Sequence, residues 1–321
     1  MNLKFKKKSF NFKLSSKVLN SKTTYFTKSG WIIKLTNNEK RIGFGEVSPL
    51  LKEDIRKCQE QLNLIPHDIE VLNLSEQINI LHPCIQSAIN SALAEINGKI
   101  IFKEKYFFDE IDKTAILLNP NNVIYDLNSI KKRQSNIRKS LTIKWKVALK
   151  NNNEEEAILE EILSQIDNNI KLRIDANGSW RRDIANRWAD ILKDNKNIDW
   201  LEQPLSVDDI DGLKELNKKI PIALDESLIK FPNLINEWKG WQIRRPSQEK
   251  NPLKLLKDLE NKKSLISISS SFETGIGRRW LYHLSSLQLQ GPTPKVPGLA
   301  MNKLPNSFLF LNEAQKIWDK L

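Results

Sequence analysis

Cysteine and histidine are scarce in this chain. Its 321 residues include two cysteines, Cys58 and Cys84, and three histidines, His67, His82 and His283. Two cysteines give neither a disulfide framework nor metal-ligand spacing, and the histidines form no cluster in the sequence. This composition points away from zinc and toward a hard cation held by carboxylates. No apolar run approaches the roughly 18 residues needed to cross a bilayer, so no membrane partner is expected. The first stretch, MNLKFKKKSFNFKLSS, is basic and lacks an apolar h-region, so it does not read as a secretory signal. Phe10, Phe12 and Leu14 alternate with polar residues and predict a first strand instead. The expectation is a cytoplasmic protein, with the plastid stroma left open if the gene is organellar. Internal repeats and low-complexity segments are absent.

Charge of one sign is in excess. The formal net charge is +12, which raises the question of nucleic acid. The lysines are scattered among many Asn and Ile residues, and no zinc-finger spacing, RNP-like aromatic motif or basic repeat accompanies them. No nucleic-acid partner is expected. A small anionic substrate would benefit from the positive field. The length suffices for a full barrel plus a smaller domain, and 28% charged with 40% apolar residues suits a globular chain.

Residues 1–50 read as antiparallel strands with a polar turn at Asn37-Asn38. Apolar spacing predicts helices over 51–63 and 68–80, and a third after Pro83 that is rich in small residues and stopped by Gly98. Residues 1–105 thus read as an α+β capping domain, with the tail 295–321 packing back on it. Residues 106–294 read as alternating strands and helices, starting with TAILLN at 114–119.

Four of those strands end in charged motifs: TIKWK (142–146), LRIDAN (172–177), WLEQP (200–204) and ALDES (223–227). The steps from Lys146 to Asp175, Glu202 and Asp225 are 29, 27 and 23 residues, one strand–helix–strand unit each. Barrel strands end at the catalytic face, so these side chains should converge there. Three carboxylates at one dry mouth raise one another's pKa unless a cation joins them, and Mg²⁺ suits all-oxygen ligands. Read singly, each acid could be a solvated loop residue; their uniform register, with Asn177 and Gln203 beside them, favours one divalent cation. Lys144 and Lys146 lie two apart and so face one way, with Trp145 opposite. Facing the barrel interior, they would lower each other's pKa, as a general base near neutral pH needs. A base beside a divalent cation suits removal of a proton α to a carboxylate.

GFGEVSPL, the KWK triplet and the three acids of LRIDANGSW, WLEQPL and ALDESL resemble the enolase superfamily, in its branch with a Lys-x-Lys base. QIRRPS, SISSSFETGIG and VPGLA are most similar to its o-succinylbenzoate synthase family. The resemblance covers nearly the whole chain. It implies a modified (β/α)7β TIM-type barrel with an N-terminal α+β capping domain. It implies a lyase that dehydrates 2-succinyl-6-hydroxy-2,4-cyclohexadiene-1-carboxylate, a small anionic dicarboxylate, on the way to menaquinone or phylloquinone. By the resemblance, Lys146 takes the α-proton and returns it to the departing hydroxyl on the same face. Lys144 assists it, and Asp175, Glu202 and Asp225 hold Mg²⁺. One departure stands out. The family usually carries a sixth-strand lysine, and here Arg245 precedes Pro246, with Arg244 the alternative if the register slips. Arginine stays protonated and is a poor base. This weighs against a racemase, which needs two bases, and suits a syn-dehydration.

Softer positions follow. Ser267, Ser269 and Ser271 share one strand face, and the later two are candidates for binding the substrate's succinyl carboxylate. Gly298 either donates a backbone N–H to substrate or makes a turn. Gly43-Phe44-Gly45-Glu46 is either a loop over the mouth or a hairpin edge. Rival functions are a dipeptide epimerase or N-acylamino-acid racemase, and a barrel without catalysis that acts as a binding protein. The oligomeric state stays open.

Overall fold

A computed structural model of the chain describes residues 2–19, 21–22, 24–70, 76–102, 114–134 and 140–321. The expected boundary at 105/106 lies outside the described residues.

Two sheets organise the chain. The first is antiparallel, in the order β3-β2-β1-β4, from β1 (Asn2–Leu19), β2 (Thr24–Asn37), β3 (Ile42–Val47) and β4 (Asp68–Glu70). The helix expected over 68–80 is not what forms. Asp68–Glu70 pairs with Asn2–Lys4 as an edge strand, and Ile78–Ile80 is a single 3₁₀ turn. The three-residue strand is too short for periodicity to separate it from a helix.

One face of this sheet, with Leu3, Phe5, Ile33 and Leu35, packs on the helices Lys52–Leu64 and Pro83–Ile96. The other, with Phe10, Phe12, Ile32 and Phe44, packs on Phe272 and Ile276 and on Ile317 and Trp318 of the tail. The expected return of the tail to the N-terminal sheet is therefore present. Gly43 and Gly45 have a steric reason. A Cβ at either would collide with the carbonyl of Ala92 or Ala88 on the helix Pro83–Ile96. The small residues of that helix and the glycines of β3 are two halves of one close approach. The Gly43–Glu46 segment is thus an edge strand, not a loop over the mouth.

The second sheet is parallel and runs β5 to β11 in sequence order. Its strands are β5 (Ile116–Leu117), β6 (Leu141–Lys146), β7 (Ile170–Asp175), β8 (Ile198–Glu202), β9 (Ile222–Leu224), β10 (Trp241–Arg244) and β11 (Ile266–Ile268). Right-handed crossover helices link most of them, as parallel pairing requires. A short segment of the tail closes the ring. Gly298 N donates to Ile268 O at 2.8 Å, and Ala115 N donates to Pro297 O at 2.9 Å. Pro297-Gly298 therefore stands between β11 and the start of β5 as the eighth staff of the barrel.

Period-two alternation sorts the side chains. Ile143 and Trp145 of β6 and Leu172 and Ile174 of β7 point to the helix layer, where Trp188 meets Trp145 and Trp180. Lys144, Lys146, Arg173 and Asp175 take the inner face, in the register Lys144↔Arg173 and Lys146↔Asp175. Deeper in the barrel, Trp200 stacks on Trp241, and the Arg173 guanidinium lies 3.9 Å from the Trp200 ring centre. That aromatic floor closes the barrel below the charged layer.

Candidate active site

The charged layer opens into a cavity of about 460 Å³ between the two sheets. Lys144, Lys146, Asn177, Asp225, Glu226, Arg245, Ser269, Ser270 and Gly298 line it from the barrel. Tyr25, Leu50, Leu51 and Asp54 line it from the N-terminal unit. Most of its remaining wall is apolar, so charge–charge interactions at its floor are poorly screened.

Register alone brings the acids together. Lys146, Asp175 and Glu202 are paired across β6, β7 and β8, and Glu202 pairs with Ala223, two positions before Asp225. Asp175, Glu202 and Asp225 are each at most 1% exposed. Lys144 Nζ donates to Glu202 Oε1 at 2.6 Å and lies 2.8 Å from Asp175 Oδ2. Lys146 Nζ donates to the same Asp175 oxygen at 2.8 Å and to Asn177 Oδ1 at 2.9 Å. Arg245 grips Asp225 with two hydrogen bonds, at 2.8 and 2.5 Å, and reaches the Ser270 carbonyl with its third nitrogen.

The electrostatics follow from this pairing. Burial opposes ionisation of Asp175, but Lys144 and Lys146 hold its carboxyl well below the usual carboxylate range. Burial raises Glu202, and Lys144 only partly offsets it. Burial, with Asp225 and Asp175 nearby, pushes Glu226 up to about 7. Lys144 differs from the expectation of a depressed lysine. Burial does lower it, yet Asp175, Glu202 and Asp225 together raise it above its ordinary value. The paired ammonium groups meet carboxylates, and that attraction outweighs desolvation and their mutual repulsion.

Two residues after the ligand candidates brace the turns. Asn177 and Gln203 have φ of 48° and 37°, the left-handed region that side chains other than Gly seldom adopt. Asn177 N donates to Asp175 Oδ1 at 3.0 Å, and Asn177 Nδ2 donates to Glu226 Oε1 at 2.9 Å. Gln203 Oε1 accepts from the backbone N–H of Asp225 and of Ser227, at 3.2 and 3.1 Å.

The register question on β10 has a clear answer. Arg245 faces the cavity, while Arg244 points outward to Glu249 and Asp258. Three softer expectations need correction. Ser271 is fully buried and does not line the cavity, because β11 ends at Ile268 and the alternation stops there; Ser270 takes its place. Gly298 lines the cavity, but its N–H is spent on Ile268 O, so it closes the barrel and is not free to bind substrate. Ser269 does line the cavity, with its hydroxyl 3.4 Å from Gly298 O. Glu226 and Tyr25 escaped sequence reasoning. The signal for Glu226 was its place beside Asp225; Tyr25 carried none.

The three carboxylates fit a hard divalent cation by chemistry, being all-oxygen donors from adjacent strand ends. As the side chains stand, no three His, Cys, Asp or Glu groups among the described residues are close enough to hold a metal. Lys144, Lys146 and Arg245 occupy the same oxygens, so a cation would have to displace ammonium or guanidinium groups from them.

Comparison with known proteins adds an independent line. Residues 134–236 match the family model described as enolase C-terminal domain-like. The chain is 27% identical over 316 residues to an o-succinylbenzoate synthase of Thermosynechococcus vestitus, covering 92% of each. It is 29% identical over 157 residues to an N-succinyl-L-Arg/Lys racemase of Bacillus cereus, covering 46% of this chain and 41% of that one. The structure superposes on o-succinylbenzoate synthase of Thermosynechococcus elongatus BP-1, solved with Mg in its active site, with a TM-score of 0.79 and 22% identity. That superposition covers 99% of this chain and 100% of the other, and it shows the enolase-type fold.

Proposed function

We propose that this chain, for which family model and fold support the enolase superfamily, is a Mg²⁺-dependent carbon–oxygen lyase of the o-succinylbenzoate synthase type. One observation carries the reading. A lysine on β6 and an arginine after β10 face one cavity from strands four apart, on opposite sides of an eight-membered ring.

The substrate is a cyclohexadiene carboxylate bearing a succinyl arm, a small dianion. Asp175, Glu202 and Asp225 would hold Mg²⁺, which when bound supplies positive charge to the carboxylate beside the reacting carbon. Lys146, one β/α unit before the first acid, takes the α-proton, with Asn177 fixing the direction of its ammonium. The proton then goes to the departing hydroxyl on the same face, so no second base is required. Arg245 cannot serve as one, because guanidinium keeps its proton; it faces the ring as a fixed cation instead. Ser269 and Ser270 supply polar contacts for the succinyl carboxylate. The apolar wall from Leu50 to Phe272 excludes water from the reacting carbon. The product would feed menaquinone or phylloquinone synthesis, and the setting would be the cytoplasm. Among the described residues no helix is long and apolar enough to cross a membrane.

The test is direct. The purified chain is given the cyclohexadiene substrate with Mg²⁺ and then with EDTA, and absorbance follows aromatisation of the ring. Metal-dependent turnover is expected. No turnover above the blank from folded, Mg²⁺-loaded protein would overturn the lyase reading. The likeness to an N-succinyl amino acid racemase keeps a second reading in play. Deuterium wash-in at the α-carbon of an N-succinyl amino acid would favour it.

A further inference from the structure

The only two cysteines of the chain sit 26 positions apart on different helices, Cys58 on Lys52–Leu64 and Cys84 in the first turn of Pro83–Ile96. Folding brings both into one spot, fully buried, beside a histidine and an aspartate. His82 Nε2 lies 3.3 Å from Asp54 Oδ1, and the same ring engages the Cys58 thiol, which in turn engages Cys84. Asp54 and Cys58 are four residues apart and share one face of their helix. Buried thiols are ordinarily inert packing groups. A thiol pair with an imidazole–carboxylate pair at its side is a different arrangement, since it supplies a nucleophile, a proton acceptor and a second sulfur.

The cluster is not isolated from the cavity. Asp54 lines the cavity wall, and the His82 and Asp54 side chains are 16% and 21% exposed, so a small solute reaches the thiols from that end. On the other side, Cys84 Sγ donates to Gln248 Oε1 at 3.4 Å. Gln248 also lines the cavity, and its Nε2 donates to the Ser48 carbonyl at 2.6 Å.

We propose that Cys58 and Cys84 form a redox-active dithiol for a small hydroperoxide, with Cys58 attacking, Cys84 resolving and His82–Asp54 managing the protons. The Cys58 sulfur attacks the peroxide O–O bond, forming an S–O bond, and the released oxygen leaves as water after taking a proton through His82. The Cys84 sulfur then displaces the oxygen from Cys58 as a second water, forming the S–S bond. Two thiols lose two electrons, and hydrogen peroxide becomes two waters. The division of roles has support in the environment. Contact with Cys84 and with His82 holds the Cys58 thiol below its ordinary pKa, whereas Cys58 and burial hold Cys84 above it. A thiolate attacks and a thiol of higher pKa resolves. Bond formation removes the S–H donor of Gln248, so the wall of the cavity registers the oxidation.

The experiment treats the folded full chain with hydrogen peroxide and follows free thiols and intact mass. Both thiols should disappear together, with loss of two hydrogens, no added oxygen and no dimer on a non-reducing gel. Dithiothreitol should restore both. Cys84→Ser should stop at a sulfenic acid on Cys58 that dimedone traps, and His82→Asn should slow thiol loss by about tenfold or more. Survival of both thiols in the folded wild-type chain would overturn the proposal. So would oxygen adducts without the internal disulfide.

Discussion

Lys144→Met removes one ammonium group and keeps most of the stem, which makes the charge balance of the site measurable without any substrate. Asp175 still has Lys146 at 2.8 Å after the change. Glu202 does not fare as well: Lys144 at 2.6 Å is its one ion-pair partner among the described residues, and the Trp200 Nε1–H at 3.4 Å is a weak substitute. Breaking a buried pair by removing one partner costs about 3–5 kcal/mol, because the other charge stays desolvated. In EDTA the variant should therefore lose about 3 kcal/mol, read as a lower urea midpoint. Magnesium should reverse much of that. A ligand present at about a hundredfold over its Kd stabilises a fold by about 2.7 kcal/mol. In the variant, Mg²⁺ would no longer compete with Lys144 for Asp175 and Glu202. The shift on adding MgCl₂ should then be larger in Lys144→Met than in the wild-type chain. Equal stability of the two chains in EDTA would refute the pairing argument. A Mg²⁺ shift in neither chain would refute the cation site itself.

Other expectations rest on single contacts. Lys146→Ala should fold, since Asp175 keeps Lys144, but should lower kcat/KM for the dehydration by about 10²–10⁴, as loss of a general base does; full turnover would remove Lys146 from the chemistry. Glu46 reaches from β3 to the start of the helix Gly275–Leu289, accepting from Thr274 N at 3.0 Å, Thr274 Oγ1 at 2.5 Å and Gly277 N at 2.9 Å. Glu46→Ala leaves those donors buried and unpaired, at about 1–3 kcal/mol for each, so the urea midpoint should drop sharply; a change within about 0.5 kcal/mol would show that water replaces the carboxylate. Lys28 is buried and donates to the Ser48 and Pro49 carbonyls, and burial lowers it from 10.5 to about 8 against the pull of Glu273 and Glu46. Between about pH 8 and 10.5 the unfolded chain holds a proton that the folded chain has released, so stability should rise with pH across that window, by about 3 kcal/mol in all. Lys28→Met should flatten that rise, and an unchanged slope would assign it to other groups.

Much of the site was legible because strand geometry is local. A charged residue ending an apolar run marks a strand end, and a period of two puts Lys144 and Lys146 on one side and Trp145 on the other. The structure keeps all of that. What failed depended on where strands stop or on distant partners. Ser271 was placed by extending the alternation of β11 three residues past its end at Ile268. The backbone of Gly298 is committed to Ile268, 30 positions earlier, and no local pattern announces a one-bridge strand. Asp68–Glu70 joins the sheet through Asn2–Lys4 and has no periodicity of its own. The cysteines gave no spacing signal because their contact is made between two helices rather than along a motif.

The cavity floor also explains why the chain's positive charge is poor guidance to its site. The surplus lies on scattered lysines, whereas at the reacting centre Lys144, Lys146 and Arg245 are matched by Asp175, Glu202 and Asp225, three against three. Glu226, pushed up to about 7, adds negative charge only in part near neutral pH. A floor so balanced offers a dicarboxylate no net attraction of its own, and each cation is already turned to a carboxylate. A divalent cation changes both terms: it brings two positive charges, and by taking the acids' oxygens it frees the ammonium groups to face the cavity. On this argument the second lysine of the KWK triplet is a base only when the acids have another partner. Arg245, fixed twice to Asp225 and unable to lose its proton, stays a cation in either state. The asymmetry between the two sides of the ring is therefore built into the residue types, and it favours chemistry that both removes and returns its proton on the side of Lys146.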